Sequence, residues 1–86
     1  MKNELKDYNY AQSITFKSLT RTFTIFFEDQ KSISFSVDNF EEFKNISNED
    51  LKLAKIGFAG TAICLEKHDL HVLIHGLIVK LGFSNK

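Results

Sequence analysis

From Ser13 onward, apolar and polar residues alternate. Ile14 and Phe16, then Phe23, Ile25 and Phe27, then Ile33, Phe35 and Val37 fall on one side of a period-two pattern, and Thr22, Thr24, Ser32, Ser34 and Ser36 fall on the other. A strand with one buried face requires this alternation, because successive side chains point to opposite sides of a sheet. Between the last two runs, the polar residues Glu28-Asp29-Gln30-Lys31 predict a hairpin turn, although they lack the favoured glycine. Three antiparallel strands are the simplest reading.

After Val37 the period changes. Asp38, three residues before Glu41, is expected to cap a short helical turn that buries Phe40 and Phe43. Ser47 is the better N-cap: Asp50 stands at the N3 position of a capping box, and Ile46 with Leu51 occupies the two positions of a hydrophobic staple. A brief helix is therefore expected from Asn48. The segment Lys55–Leu65 reads as a second hairpin, with Ile56 and Phe58 in one arm and Ile63 and Leu65 in the other, and with Gly60 at a positive φ. Asp69 is expected to cap the last helix. Its residues Leu70, Leu73, Ile74, Leu77, Ile78 and Leu81 recur at helical spacing and would face the sheet.

The expected fold is thus α+β, in the order β-β-β-α-β-β-α, a small mainly antiparallel sheet with helices on one face. No repeat, proline or Gly/Ser-rich linker divides the chain. One domain over residues 1–86 is expected, with polar, flexible ends at 1–10 and 84–86.

The last helix carries a second apolar stripe, Val72, Gly76, Val79 and Phe83, on its other side. Exposed, such a strip is seldom kept without a binding role. These four residues are the candidate partner-binding positions, together with His75 beside Gly76. The candidate occupants are a second copy of the helix, a segment of another protein, or the N-terminal arm with Tyr8 and Tyr10.

Composition narrows the function. Hydrophobic residues make up 43% of the chain and nine are Phe, so a packed core is within reach without disulfides or metal. Cys64 is the only cysteine, which excludes an internal disulfide and fits a reducing, cytoplasmic setting. The charged N-terminus lacks the apolar run of a signal peptide, and the stretch Leu70–Leu81 is too short and too interrupted to span a bilayer. Eleven basic residues balance eleven acidic ones, and Arg21 is the only arginine, which disfavours nucleic acid as the ligand. Residues 38–52 lean acidic through Asp38, Glu41, Glu42, Glu49 and Asp50. Glu41 and Glu42 are candidate contacts for a basic partner.

The words Phe40-Glu41-Glu42-Phe43, Ser47-Asn48-Glu49-Asp50-Leu51, Ile56-Gly57 with Gly60, Ile63, and Asp69-Leu70-His71-Val72 resemble those of a bacterial family catalogued as domain of unknown function 2442. The family's Trp-Pro pair is Leu65-Glu66 here, and its helix-start proline is Asn48. The resemblance implies a small protein that is not an enzyme. It also implies a partner, because many family members are encoded beside a second small protein as candidate toxin–antitoxin pairs.

Other chemistry is weaker. His71 and His75, four apart on the expected helix, could share a metal with His68 nearby, but a closed site needs a further ligand such as Asp69 or Cys64. Surface histidines are the plainer reading, and neither a metal nor another cofactor is expected. Cys64 alternates with Ile63 and Leu65 and reads as a packed small hydrophobe rather than a nucleophile. Tyr8, Tyr10 and Phe26 could stack on bases, but too little positive charge stands beside them. The expected function is a non-catalytic interaction domain, most concretely an antitoxin-like protein that binds and neutralises a small toxin. A homodimeric structural or regulatory domain is the alternative, and a small metal-dependent enzyme ranks third.

Overall fold

Strands dominate the computed structural model, which describes residues 10–82. β1 (Ala11–Lys17), β2 (Thr22–Phe27) and β3 (Ser32–Ser36) form one antiparallel sheet in that order. The alternation sets its faces: Phe23, Ile25, Phe27, Phe35 and Val37 are buried, with Ile14, Phe16 and Ile33 packed partly against them. The β2–β3 turn lies at the four expected polar residues. Gln30 takes the positive φ of 73° there that a glycine would otherwise supply, while Phe27 N–H donates to Lys31 O at 2.9 Å.

Beyond β3 a single 3₁₀ turn, Val37–Asn39, leads into the segment that buries Phe40 and Phe43. Ser36, not Asp38, caps this turn: its hydroxyl accepts from the Asp38 N–H at 3.2 Å, which frees the Asp38 carboxylate for Arg21. The rings of Phe16, Phe23, Phe35, Phe40 and Phe43 meet edge to face at centroid distances of 5.1–5.9 Å where they touch the sheet. α1 (Asn48–Leu51) starts where the capping pattern puts it. Ser47 Oγ accepts from the Asp50 N–H at 3.2 Å, and Ile46 and Leu51 are buried on either side. Only half of the capping box forms, because the Asp50 carboxylate turns to Lys67 and His68 instead.

β4 (Lys55–Gly57) and β5 (Ala62–Leu65) form the second hairpin, and the arm ends before Phe58. Phe58 and Ala59 enter the left-handed region, and Gly60 follows at φ 88°. A Cβ on Gly60 would lie 2.7 Å from Tyr10 Cβ and 2.9 Å from Ala11 O, so only glycine lets the start of β1 lie against this turn. There Ala11 N–H donates to Gly60 O at 3.0 Å and brings the two hairpins edge to edge.

The largest departure from the sequence reading is at residues 70–73. Leu70–Leu73 is a strand, β6, paired antiparallel with β5 through Leu65↔Leu70, Cys64↔His71, Ile63↔Val72 and Ala62↔Leu73. The described residues therefore form two three-stranded sheets, not one, and their element order is β-β-β-α-β-β-β-α. Asp69 caps no helix; it ends a 3₁₀ turn, Glu66–His68, at φ 53°. The run Leu-His-Val-Leu satisfies period two as well as a helical period, and the free edge of β5 decides between them. Pairing there satisfies backbone groups and buries Val72 against the core. α2 is left as Ile74–Leu81, with Ile74, Leu77 and Ile78 buried and Leu73 outside it, 64% exposed. Core side chains from both sheets and both helices form one cluster. Among the described residues no helix is long and apolar enough to cross a membrane.

A candidate partner-binding groove beside the last strand

β6 is an edge strand. Ile74 N–H donates to Thr61 O at 2.9 Å, and the register continues through Val72↔Ile63 and Leu70↔Leu65. Alternate residues of an antiparallel strand direct their backbone groups to opposite sides, so those of His71 and Leu73 point away from β5. Among the described residues, no backbone group reaches the His71 or Leu73 N–H.

Along this side runs an open groove of about 300 Å³, walled by β6, by one face of α2 and by the segment carrying Phe40 and Glu42. Phe40 and Leu77 form its apolar base and Leu73 its exposed rim. Gly76 lies in the wall with open space above it: a Cβ there would meet nothing within 4 Å. Lys80 lies over the Phe40 ring, 5.2 Å from its centroid, as a cation–π contact.

Of the residues nominated from the sequence, Glu42, Val72 and Gly76 meet in this groove. Val72 does so as a mostly buried strand residue, so the expected helical stripe through Val72, Gly76 and Val79 does not exist. The helix starts two residues too late to include Val72. Val79 is half exposed and His75 exposed on α2, both outside the groove lining, and Phe83 lies outside the described residues, as does Tyr8. Tyr10 is exposed where β1 begins. Glu41 is exposed and pairs with Lys44 at 3.2 Å. His71 and Leu73 were not nominated as partner contacts, although the alternation within Leu-His-Val-Leu would have set them together on one side of a strand.

The acidic segment is partly neutralised from within. Asp38 pairs with Arg21 at 2.9 Å, and Asp50 with Lys67 at 3.0 Å and His68 at 2.8 Å. The hydrogen bond from His68, followed by that from Lys67, holds the Asp50 carboxyl below its ordinary 3.8. Elsewhere Lys55 and Glu66 pair at 2.9 Å, which raises the lysine and lowers the carboxyl. Glu42 and Glu49 are exposed and make no ion pair among the described residues, and Glu42 is the one beside the groove.

The histidines do not share a helix face. His68 ends a 3₁₀ turn facing Asp50, His71 is on β6 with its ring edge-on to Phe58 at 5.0 Å, and His75 is on α2. Among the described residues no group of three His, Cys, Asp or Glu side chains converges to hold an ion. Cys64 is buried in β5, its sulfur packed over Gly57 where a Cβ would come within 2.5 Å.

The side chain that organises this end of the molecule is Arg21. It sits in the β1–β2 turn and reaches Asp38 Oδ1 at 2.9 Å, Asn48 Oδ1 at 2.6 Å, Lys44 O at 3.1 Å and Ile46 O at 3.3 Å. The planar fork of a guanidinium suits this set of acceptors, and it ties down the segment between β3 and α1 that carries Phe40 and Glu42.

A family model described as a protein of unknown function (DUF2442) matches residues 11–81. No curated protein is similar enough to count as a match. Two solved structures share the fold. One is a protein of unknown function from Rhodospirillum rubrum, 17% identical, with a TM-score of 0.78 over 90% of this chain and 92% of that one. The other is an uncharacterized protein from Chromobacterium violaceum, 14% identical, with a TM-score of 0.72 over 94% of this chain and 84% of that one.

Proposed function

The chain belongs to the DUF2442 family, and from that premise we propose that it is a non-catalytic interaction domain that binds an extended segment of a small basic protein in the groove beside β6. The observation that carries the proposal is the meeting of a free strand edge with an apolar groove. The outward backbone groups of His71 and Leu73 can extend the sheet by one strand, while the groove takes the incoming side chains. Gly76 lets a partner backbone approach α2, and Leu73 offers apolar area at the rim. Glu42, exposed beside the groove and without an ion pair among the described residues, supports a basic residue in the partner. The family setting makes an antitoxin-like role, neutralising a small toxin in the cytoplasm, the most concrete form of this reading. The reduced, buried Cys64 is compatible with that compartment.

The test is co-expression of the chain with the product of the reading frame that adjoins its gene, followed by purification through a tag on this chain. The expected result is a stoichiometric complex that Gly76→Leu and Leu73→Lys each disrupt while circular dichroism stays unchanged. A chain that elutes without that protein, or a complex indifferent to both substitutions, overturns the proposal.

A further inference from the structure

The other sheet also has an open edge, and its sequence is self-complementary. Val37 N–H donates to Arg21 O and Phe27 N–H to Lys31 O, both at 2.9 Å, and between them Phe35 pairs with Phe23 and Ile33 with Ile25. The odd-numbered residues of β3 therefore bond to β2, and the backbone groups of Ser32, Ser34 and Ser36 point outward. Among the described residues no backbone group reaches the N–H of any of these three serines, and Ser32 and Ser34 are exposed. Edge strands are ordinarily guarded by a charge, a proline or a bulge. Ser32-Ile33-Ser34-Phe35-Ser36 has none of these, and the only irregularity in the sheet lies in β1.

We propose that β3 is a homodimer edge, pairing antiparallel with β3 of a second copy about a two-fold axis through Ser34. This inference concerns a different surface from the groove and does not depend on it. The sequence reads nearly the same in both directions about Ser34. In that register Ser34 exchanges both backbone bonds with its own counterpart, and the Ser36 N–H of each chain meets the Ser32 carbonyl of the other. Half-buried Ile33 lies across from Phe35 of the second copy on the apolar face, and the serines line the polar face. A C2 pair of this kind is isologous and closed, and it removes the exposed edge without building a filament. The edge of β6 makes a poorer self-pair: α2 follows it at once, and only two of its residues face outward.

The experiment is sedimentation equilibrium of the full chain over a range of concentrations, combined with amide hydrogen exchange. The expected mass rises toward twice the 9.9 kDa chain, and exchange at Ser34 and Ser36 slows in parallel. Ser34→Pro removes the central donor and leaves the backbone bonds to β2 in place, giving up only the exposed hydroxyl contact of Ser34 with Thr24 at 2.8 Å, and Ser34→Lys sets two like charges against each other across the axis. Both should remain folded by circular dichroism and sediment as monomers. A wild-type chain that stays monomeric overturns the inference. So does a dimer that survives in a folded Ser34 variant, or one whose protected amides are those of His71 and Leu73.

Discussion

Replacing Arg21 with lysine keeps the charge and removes the fork, which isolates what the guanidinium geometry contributes. Arg21 is 24% exposed and Asp38 55% exposed, so that ion pair alone is worth at most about 1 kcal/mol. The bonds to Asn48 Oδ1, Lys44 O and Ile46 O are part-buried or bridge separate segments, and a lysine in the same backbone conformation can reach only one acceptor at a time. At about 1 kcal/mol net for each bond lost, discounted because water reaches the site, Arg21→Lys should cost about 2 kcal/mol. For a domain of this size that corresponds to a fall of about 10 °C in Tm. The assay is thermal unfolding followed by circular dichroism, with Asp38→Asn as the control. Asp38→Asn removes only the ion pair and should cost about 0.5 kcal/mol. If Arg21→Lys lowers Tm no further than Asp38→Asn does, the guanidinium does not fasten the Phe40 segment and the reasoning fails.

Ser47→Ala removes the cap on α1 and should lower stability by about 1 kcal/mol in urea unfolding, and an unshifted midpoint would contradict the cap. Gly57→Ala places a Cβ 2.5 Å from Cys64 Sγ and should cost about 1–3 kcal/mol; adding Cys64→Ala should recover part of the loss, and no recovery would show that the clash lies elsewhere. Asp50 titrates below its unfolded value of 3.8, so its pairing with His68 and Lys67 stabilises the fold above that pH and is lost as pH falls through the lower folded value. Asp50→Asn should therefore flatten the acid limb of stability against pH. A carboxyl titration by NMR with its midpoint at or above 3.8 would refute the pairing.

What could be read from the sequence was local. The period-two runs located β1, β2 and β3, Ser47 with its staple located α1, and Gly60 located the tight turn, because each of these is decided by neighbours within a few residues. Residues 70–73 were misread because their apolar positions fit a helix and a strand equally well, and only the distant edge of β5 chooses. The groove shows the same limit. Glu42 and Gly76 were nominated on composition and spacing. His71 and Leu73 enter it only because β6 is a strand, and the second helical stripe lost Val72 for the same reason. Arg21 stood out in the sequence as the only arginine. Its partners lie 17 to 27 residues away, where no local pattern reveals them.

The groove reading is tested most directly by amide hydrogen exchange of this chain, alone and in the presence of the product of the reading frame that adjoins its gene. If a partner strand adds to β6, the His71 and Leu73 amides exchange fast in the free chain and slow markedly in the complex. If both exchange equally fast in the two states while protection appears on some other surface, no partner strand has been added along the groove.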